Sequence, residues 1–472
     1  MKKLITFVFM AFGAVAIAQT PCNNGMAGSY PCDGFDLLSH IPLSTFNTSG
    51  ANDSWGWTDP DNGDEYALVG LEDGTAFVNI TDPVNPIYLG KLNTHTSSTT
   101  WRDIKTYNNY AFIVSEASGH GMQIFDLTKL RNVPSPPTNF SEDAHYDGFS
   151  NAHNIVINEE TGYAYGVGTN TYSGGIHFVN IQDPLNPVAA GGYSEDGYSH
   201  DAQVIIYNGP DATYQGREIL VSSTGSEQAV AIVDVTDKNN PQGIATIGYD
   251  NVGYTHQGWF TEDHRFFLLG DEFDEGAVGF NTRTVVFDLS DLDNPVEDFE
   301  FFGETTAIDH NGYVKGNYYY LSNYAAGLRV IDISDIANGN MAEIAYFDTY
   351  PSDDNASYNG TWNVYPYFPS GVTTINDRSG GFFVVQSTQN LGASDFDANG
   401  FTVYPNPAST VITIRSNNNP IQTMSVYDVS GKLLISETDL NVQTKQLNIA
   451  SLSQGMYFVN VNKQTVKRII KK

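Results

Sequence analysis

Short apolar runs separated by acidic or glycine-containing turns recur along most of the chain. The clearest example spans residues 254–295, where apolar runs occupy 258–261, 265–269 and 284–289. Short runs with such boundaries are typical of β-strands joined by tight turns. The pattern predicts an antiparallel meander in this part of the chain.

The third run of this unit carries a motif of two apolar residues, an Asp or Asn, and an aliphatic residue. Six copies occur, at 77–80, 124–127, 178–181, 232–235, 286–289 and 330–333. Proline-bounded turns follow several copies, and proline ends a strand because it lacks the backbone N–H that the ladder needs. A further apolar run follows each turn, so each repeat supplies four strands. One small sheet cannot bury both of its faces alone, and a period of about 50 residues indicates the stacked blades of a β-propeller.

The first and last repeats are complementary. Residues 35–43 resemble a fourth strand but precede every first strand, whereas the last repeat supplies three strands, at 362–365, 372–376 and 382–386, and no fourth. We therefore expect residues 35–43 to complete the last blade and to remove the open edge of the ring. The predicted blades begin at Trp55, Trp101, His153, His200, His256, His310 and Trp362. The sequence thus predicts an all-β fold, with a seven-bladed β-propeller over residues 19–390.

The composition changes on either side of the predicted propeller. Residues 1–18 combine an early Lys pair with an apolar run that ends at small residues, which is the pattern of a secretory signal peptide. No later stretch approaches 18 consecutive apolar residues, so we expect no transmembrane segment after export. A linker at 391–400 precedes residues 401–472, whose alternating strands predict a small immunoglobulin-like β-sandwich.

The chain has two cysteines, Cys22 and Cys32, which both follow the predicted signal peptide closely. Export would place them in an oxidising compartment, which favours a disulfide that fastens the N-terminal segment. Two free thiols are the alternative. The separation of ten residues excludes a C-x-x-C redox motif.

Acidic residues greatly outnumber basic ones. The chain contains 54 Asp and Glu against 22 Lys and Arg, a formal net charge of −32. Such a surface repels nucleic acid and anionic lipid, so neither is an expected partner. It suits cations, although general acidity for solubility explains the charge equally well.

The C-terminal segment resembles a known secretion signal. It contains Y-P-N-P-A at 404–408, V-Y-D-V-S-G-K at 426–432, L-S-Q-G-M-Y-F-V at 452–459 and a basic terminus. These motifs resemble the type A C-terminal sorting domain of type IX secretion. The resemblance implies a Bacteroidetes-type bacterium, transport by the type IX machinery and a final location outside the cell or on its surface, either released or anchored. The matching signal residues are Tyr404, Pro405, Asn406, Pro407, Gly455, Lys471 and Lys472.

The predicted propeller resembles the choice-of-anchor B family with LVIVD-type repeats. The resemblance rests on W-G-W-T-D-P at 55–60, the two stretches 94–105 and 111–127, T-H-Q-G-W-F-T-E-D at 255–263 and D-H-N-G-Y-V-K-G-N-Y at 309–318, among others. Members of this family join a surface propeller to differing C-terminal anchors, which suits the tail described above. The family supplies no agreed activity, so function has to be argued from the site.

The first strands of the blades line the central channel of a propeller, so the seven blade starts form a ring. Four consecutive starts are histidines, His153, His200, His256 and His310, and the other three are tryptophans. Converging neutral imidazoles suit zinc, copper or iron, so we predict a divalent transition metal at this mouth. The alternative is that each histidine only bonds the backbone of a neighbouring blade. The second strands end near the same rim with Glu116, Asp271 and Asp377, which could orient the imidazoles or bind Ca²⁺.

Two functional hypotheses follow, with a purely structural envelope protein as a third. In the first, the channel mouth binds a glycan, peptide or partner protein, with Trp55, Trp101 and Trp362 as stacking faces and the same three acidic residues beside them. In the second, a metal held by the four histidines activates water or oxygen, and Glu116 or Asp271 is the general base.

Overall fold

The computed structural model of the 472-residue chain describes residues 19–389, 401–404, 408–416, 420–428, 432–438, 440–462 and 465–472. The predicted signal peptide and the predicted linker at 391–400 lie outside the described residues, as do Pro405, Asn406 and Pro407. Within the described residues no helix has the length and apolar character needed to cross a membrane.

Residues 19–389 form seven sheets, each built mainly from four strands that follow one another in the chain. The N-terminal elements are β1 (Met26–Ala27), β2 (Tyr30–Asp33), β3 (Phe35–Ile41) and α1 (Leu43–Phe46). The first three blades contain β4 (Ala51–Thr58), β5 (Glu65–Leu71), β6 (Gly74–Asn79) and β7 (Ile87–Asn93); β8 (Arg102–Tyr107), β9 (Tyr110–Ser115), β10 (Met122–Asp126) and β12 (Ala144–Tyr146); β13 (Asn154–Asn158), β14 (Tyr163–Val167), β15 (Ile176–Asn180) and β16 (Val188–Tyr193). The short strand β11 (Thr138–Phe140) lies between β10 and β12 in sequence but pairs in parallel with β7 of the first blade.

The remaining four blades follow the same plan. They contain β17 (Asp201–Ile206), β18 (Glu218–Ser223), β19 (Val230–Asp234) and β20 (Gln242–Ile247); β21 (Thr255–Phe260), β22 (Phe266–Asp271), α2 (Asp274–Ala277), β23 (Arg283–Asp288) and β24 (Val296–Phe302); β25 (Gly312–Lys315), β26 (Tyr318–Asn323), β27 (Gly327–Asp335) and β28 (Asn340–Phe347); β29 (Thr361–Tyr365), β30 (Val372–Asp377) and β31 (Gly381–Ser387). Short 3-10 helices lie at Leu127–Asn132, Tyr172–Gly174 and Ile336–Asn338.

The seven innermost strands form a closed ring. The strands β4, β8, β13, β17, β21 and β25 lie against one another in this order, β29 lies against β26 of the preceding sheet, and β29 contacts β4. Each of the seven innermost strands starts its sheet, so their N-terminal ends lie at one end of the channel. This arrangement is a β-propeller, as the repeat pattern predicted.

Burial explains why the strands differ along each blade. The second strands are buried on both faces, as in β22, whereas the outermost β24 is mostly exposed or half-buried. Neighbouring sheets pack face to face through apolar side chains, such as Val221 and Ile232 of one blade against Phe267 and Val285 of the next. Because a central strand contacts a sheet on each side, its sequence reads as a continuous apolar run.

The last blade is completed by the N-terminal segment. β3 pairs antiparallel with β31, from Phe35 opposite Ser387 to Ile41 opposite Phe382, so it supplies the missing fourth strand. The preceding hairpin of β1 and β2 extends the neighbouring blade, where Cys32 lies opposite Phe347 of β28. Cys32 forms a disulfide with Cys22, which confirms the predicted bond.

The C-terminal residues fold into two small sheets. β32 (Phe401–Tyr404), β33 (Val411–Ser416) and β36 (Thr444–Asn448) form one, and β34 (Met424–Asp428), β35 (Leu433–Glu437), β37 (Gly455–Val461) and β38 (Thr465–Lys471) form the other. Ile412 and Ile414 of the first sheet share a buried cluster with Val426 and Val459 of the second. Two sheets packed in this way are the predicted β-sandwich.

Candidate functional site

The four histidines lie side by side at the N-terminal ends of four consecutive innermost strands. The ring centroids are 4.1 Å apart for His153 and His200, 4.5 Å for His200 and His256, and 4.4 Å for His256 and His310. Trp362 continues the row, with its ring 4.9 Å from that of His310. One residue per blade therefore produces a continuous arc of imidazoles around the channel.

Hydrogen bonds fix the orientation of at least two of these imidazoles. His200 Nδ1 lies 3.0 Å from the backbone oxygen of His256, and His310 Nδ1 lies 2.6 Å from that of Trp362. A carbonyl oxygen can only accept, so both Nδ1 atoms carry the proton and both Nε2 atoms keep a free lone pair. His153 Nδ1 instead lies 2.6 Å from Glu116 Oε1. His200 and His310 therefore bond the backbone of a neighbouring blade, as the alternative interpretation of the sequence expected. The four rings nevertheless lie next to one another.

Burial keeps the imidazoles of His200, His256 and His310 neutral. It lowers the pKa of His310 to about 3, and it lowers the pKa of His200 and of His256 well below the usual value, helped by repulsion from neighbouring imidazoles. A neutral imidazole can donate its lone pair to a metal ion, whereas an imidazolium cannot.

Glu272 completes the arc, and the sequence did not single it out. Glu272 Oε2 lies 3.8 Å from His256 Nε2, and Oε1 lies 3.8 Å from His310 Nε2. Tyr324 donates its hydroxyl hydrogen to Glu272 Oε1 at 3.0 Å. One ligand atom from each of His256, Glu272 and His310 lies within 4.8 Å of the other two. Burial raises the pKa of Glu272 to about 7.

Asp271 and Asp377 were predicted at this mouth, but the structure gives both of them other partners. The two Asp271 oxygens accept hydrogen bonds from Tyr249 Oη and from the backbone N–H groups of Gly253 and Tyr254, among others, at 2.6–2.9 Å. Asp377 accepts hydrogen bonds from Thr349 and from the turn at residues 379–380. Both carboxylates are fully buried and hold loops in place. The prediction that they face the cavity is therefore wrong.

A cavity of about 440 Å³ opens at this end of the channel, and we name it the histidine mouth. Its wall is mainly aromatic and includes three charged side chains. The lining residues are Thr100, Trp101, Glu116, His153, Tyr198, His200, Tyr254, Glu272, Phe273, Tyr324, Tyr358, Trp362 and Arg378. Trp101 is 45% exposed at the rim, whereas Trp362 is 7% exposed. Of the residues that the sequence placed together at this mouth, Trp101, Trp362, Glu116, His153 and His200 line the cavity, and His256 and His310 continue the row of imidazoles beside it.

Trp55 is not part of the histidine mouth. In β4, Ala51 lies opposite Leu71 and the register shifts before Ser54, just as Thr255 lies opposite Asp271 before the shift in β21. The position that corresponds to His256 is therefore Asn52, and Trp55 lies about three residues, or about 10 Å, farther along the strand. The prediction that this blade begins at Trp55 is therefore wrong.

Trp55 instead lines a second cavity of about 180 Å³, which we name the lysine cavity. Its lining comes from later positions of the same innermost strands and from the end of β13. The lining residues are Trp55, Lys105, Thr106, Val156, Ile157, Glu159, Asp201, Ala202, Gln203, Val204, Gln257, Trp259 and Tyr313. The two cavities therefore lie toward opposite ends of one channel.

The described part of the predicted sorting signal lies in the C-terminal sandwich. Tyr404 ends β32, Gly455 begins β37, and Lys471 ends β38. The backbone N–H of Lys472 donates to the oxygen of Ala408 at 2.9 Å, which ties the basic terminus to the start of the domain.

Two family models match parts of the chain. Residues 402–472 match the family described as "Secretion system C-terminal sorting domain", and residues 313–349 match the family described as "LVIVD repeat". The first match confirms the resemblance of the tail and indicates export by type IX secretion to the cell surface or the extracellular space. The second confirms the LVIVD resemblance within the propeller. No curated protein sequence matches the chain.

The solved structures are similar at low sequence identity. One is the β-propeller domain of Cps50 (Swd1) from Myceliophteria thermophila, which is 11% identical, with a TM-score of 0.43, covering 69% of this chain and 94% of the other. Another is a protein from Lactobacillus plantarum, which is 15% identical, with a TM-score of 0.39, covering 73% of this chain and 98% of the other.

Proposed function

We propose that this exported β-propeller binds a carbohydrate ligand in the histidine mouth. The observation that carries the proposal is the cavity of about 440 Å³, whose wall combines seven aromatic side chains with Glu116, Glu272 and Arg378. Flat aromatic faces pack against the C–H faces of sugar rings, and carboxylate and guanidinium groups bind sugar hydroxyls. A cavity of this size encloses one or two sugar residues.

The partly exposed ring of Trp101 is the most accessible stacking face. Its removal should leave the core intact, because a rim side chain contributes little to folding. An aromatic side chain at the centre of a recognition surface often contributes tenfold or more to affinity. Trp101→Ala should therefore weaken ligand binding by about tenfold or more while the thermal unfolding temperature changes little.

Glycan-array screening of residues 19–472, followed by calorimetric titration of any hit, tests the proposal. The matched control is Phe302→Ala, because Phe302 is 44% exposed on the outermost strand of a blade, outside the histidine mouth. Binding that is lost in the Trp101 variant and kept in the control supports the proposal. Absence of any glycan hit, or equal binding by both variants, contradicts it, and a peptide or protein that binds at Trp101 would identify a different ligand class.

A second candidate function is metal-dependent chemistry in the same mouth. The observation that favours it is the cluster of His256, Glu272 and His310, whose ligand atoms lie within 4.8 Å of one another. The bond from His310 Nδ1 to a backbone oxygen leaves Nε2 facing Glu272, and such outer bonds are typical of histidine ligands. Two imidazoles and one carboxylate form a ligand set that suits zinc or iron.

Metal analysis separates this candidate from the first. Residues 19–472 are incubated with zinc, copper or iron, passed through gel filtration, and measured by inductively coupled plasma mass spectrometry. Wild type should retain about one equivalent and Glu272→Gln about one tenth or less. Glu116→Gln is the matched control, because Glu116 bonds His153 outside the cluster. A wild-type protein without retained metal, or a Glu272 variant that keeps it, rejects the metal site and leaves the carbohydrate proposal unaffected.

A further inference from the structure

The lysine cavity contains an ammonium group that the protein supplies itself. Lys105 Nζ lies 2.6 Å from Asp103 Oδ1 and 4.5 Å from the centroid of the Trp55 ring. A carboxylate and an aromatic face are the two groups that stabilise an organic cation in a partly dehydrated site. This part of the channel therefore already holds one ammonium group in such a pair.

The carboxyl groups of the cavity outnumber its cations. Asp53 lies beside Asp103, and burial raises the pKa of Asp53 well above its usual value, so a proton neutralises that carboxyl while Lys105 neutralises Asp103. Asp201 and Glu159 remain in the wall of the cavity. Within residues 19–389 no lysine or arginine forms an ion pair with either of them. Burial raises the pKa of Asp201 to about 7 and also raises the pKa of Glu159, so at pH 8 Asp201 is mainly ionised, while Lys105 is already bonded to Asp103.

Aromatic rings stand beside these carboxylates. The Trp259 and Tyr313 rings are 5.0 Å apart at 73°, and the Trp55 and Tyr313 rings are 5.8 Å apart at 69°. The Tyr313 hydroxyl donates to Asn363 Oδ1 at 2.9 Å, so this ring is held in position. All three rings line the cavity, so an ammonium group inside it would lie beside aromatic side chains, whose faces attract cations.

We propose that the lysine cavity binds a second organic ammonium group, with Asp201 as the counter-charge and Trp259 and Tyr313 as its aromatic wall. The volume of about 180 Å³ admits a group of only a few heavy atoms. A small primary or quaternary amine meets this limit, and so does the end of a lysine side chain in a peptide. This site is separate from the histidine mouth, so it does not depend on the carbohydrate proposal.

Titration with defined probes tests the proposal. Residues 19–472 are titrated at pH 8 with n-butylammonium, tetramethylammonium and the peptide Gly-Gly-Lys-Gly-Gly, and binding is measured by calorimetry and by tryptophan fluorescence. The neutral probe is n-pentanol, which has a similar size. We expect at least one cationic probe to bind with a Kd of about 1 mM or tighter, and pentanol to bind about tenfold more weakly or not at all.

Two variants locate the binding. Asp201→Asn removes the charge and keeps the oxygen that accepts the backbone N–H of Ala202, and it should weaken binding about tenfold. The matched control is Asp353→Asn on an exposed turn, where the oxygen that accepts the N–H of Asn355 is likewise kept. Trp259→Leu should weaken binding without removing a charge, and circular dichroism verifies that each variant is folded.

Binding of the small amines identifies a free amine as the ligand, and binding of the peptide alone identifies a lysine side chain. The proposal is overturned if folded wild type binds no cationic probe at concentrations of about 10 mM, if pentanol binds as tightly, or if folded Asp201→Asn binds as well as the control.

Discussion

The two cavities of the channel lie within the same ring of innermost strands, yet their charges are balanced in different ways. At the histidine mouth, His200 and His310 donate to backbone oxygens and remain neutral because burial lowers their pKa values. In the lysine cavity, a charged Lys105 stands against Asp103. The first end is stabilised by hydrogen bonds between neutral groups, and the second by an ion pair in a site with little water.

This contrast follows from position along the strands. The histidines precede or begin their strands, where the backbone of the next blade offers free carbonyl oxygens. Lys105 lies within β8, where the backbone groups are already paired in the sheet, so its ammonium needs a side-chain partner. The same ring therefore produces two chemically different sites, and the following substitutions measure the difference.

The largest effect is expected for Lys105→Met. Loss of the ammonium leaves Asp103 buried without a counter-charge, which should lower the free energy of unfolding by about 3–5 kcal/mol. Urea denaturation measures the change. Lys129→Met is the control, because the ion pair of Lys129 with Asp143 is largely exposed and should contribute less than about 1 kcal/mol. Equal losses in the two variants would show that the lysine cavity is not stabilised by charge compensation.

A smaller, pH-dependent effect is expected beneath the histidine mouth. Burial and the neighbouring Asp274 raise the pKa of Glu275 to about 9, and Asp309 and Tyr358 also face this carboxyl group, while Arg283 bonds Asp274. A proton, and not a lysine, therefore neutralises Glu275. The folded chain keeps this proton above pH 4.5 whereas the unfolded chain loses it, so the free energy of unfolding should fall as pH rises toward 9.

Glu275→Gln tests this expectation. The amide oxygen can still accept the backbone N–H of Asp309, and no proton is needed to keep the side chain neutral. At pH 8.5 the variant should exceed wild type in free energy of unfolding by roughly 2 kcal/mol, and at pH 5 the two should be nearly equal. Denaturation curves at both pH values measure this. A difference that does not change with pH would rule out a buried neutral Glu275.

The smallest effect is expected for His310→Leu in metal-free protein. The substitution removes one hydrogen bond, from Nδ1 to the Trp362 oxygen, and uncovers no charge. The free energy of unfolding should fall by about 1–2 kcal/mol, as for a buried neutral hydrogen bond. Urea denaturation beside Lys105→Met gives the comparison directly. A loss as large as that of the lysine variant would mean that the two ends are not stabilised differently.

The sequence predicted the blades, the closing strand and the disulfide because these depend on patterns longer than one residue. The sequence predictions were wrong where a shift of one or a few residues changes which side chain faces the site. Asp271 was chosen at the end of β22, but Glu272 is the residue that reaches the histidines, since successive residues of an extended chain point in opposite directions. Trp55 was misplaced because the register shift in β4 moves the equivalent of His256 to Asn52. The surroundings that keep His200 and His310 neutral come from neighbouring blades, whose residues are far apart in sequence, so no local pattern records them.

Because β3 pairs with β31, the ring can close only when both ends of the propeller sequence are present. The first blade strand of the chain finds its partner only when residues 381–387 have been made, after nearly all of the propeller. A chain that stops earlier has two open edges, one on β3 and one on its last sheet, and such edges pair with other chains. Since the sorting domain follows β31 in sequence, every chain that carries the sorting domain also carries β31, the partner that β3 needs to complete the last blade.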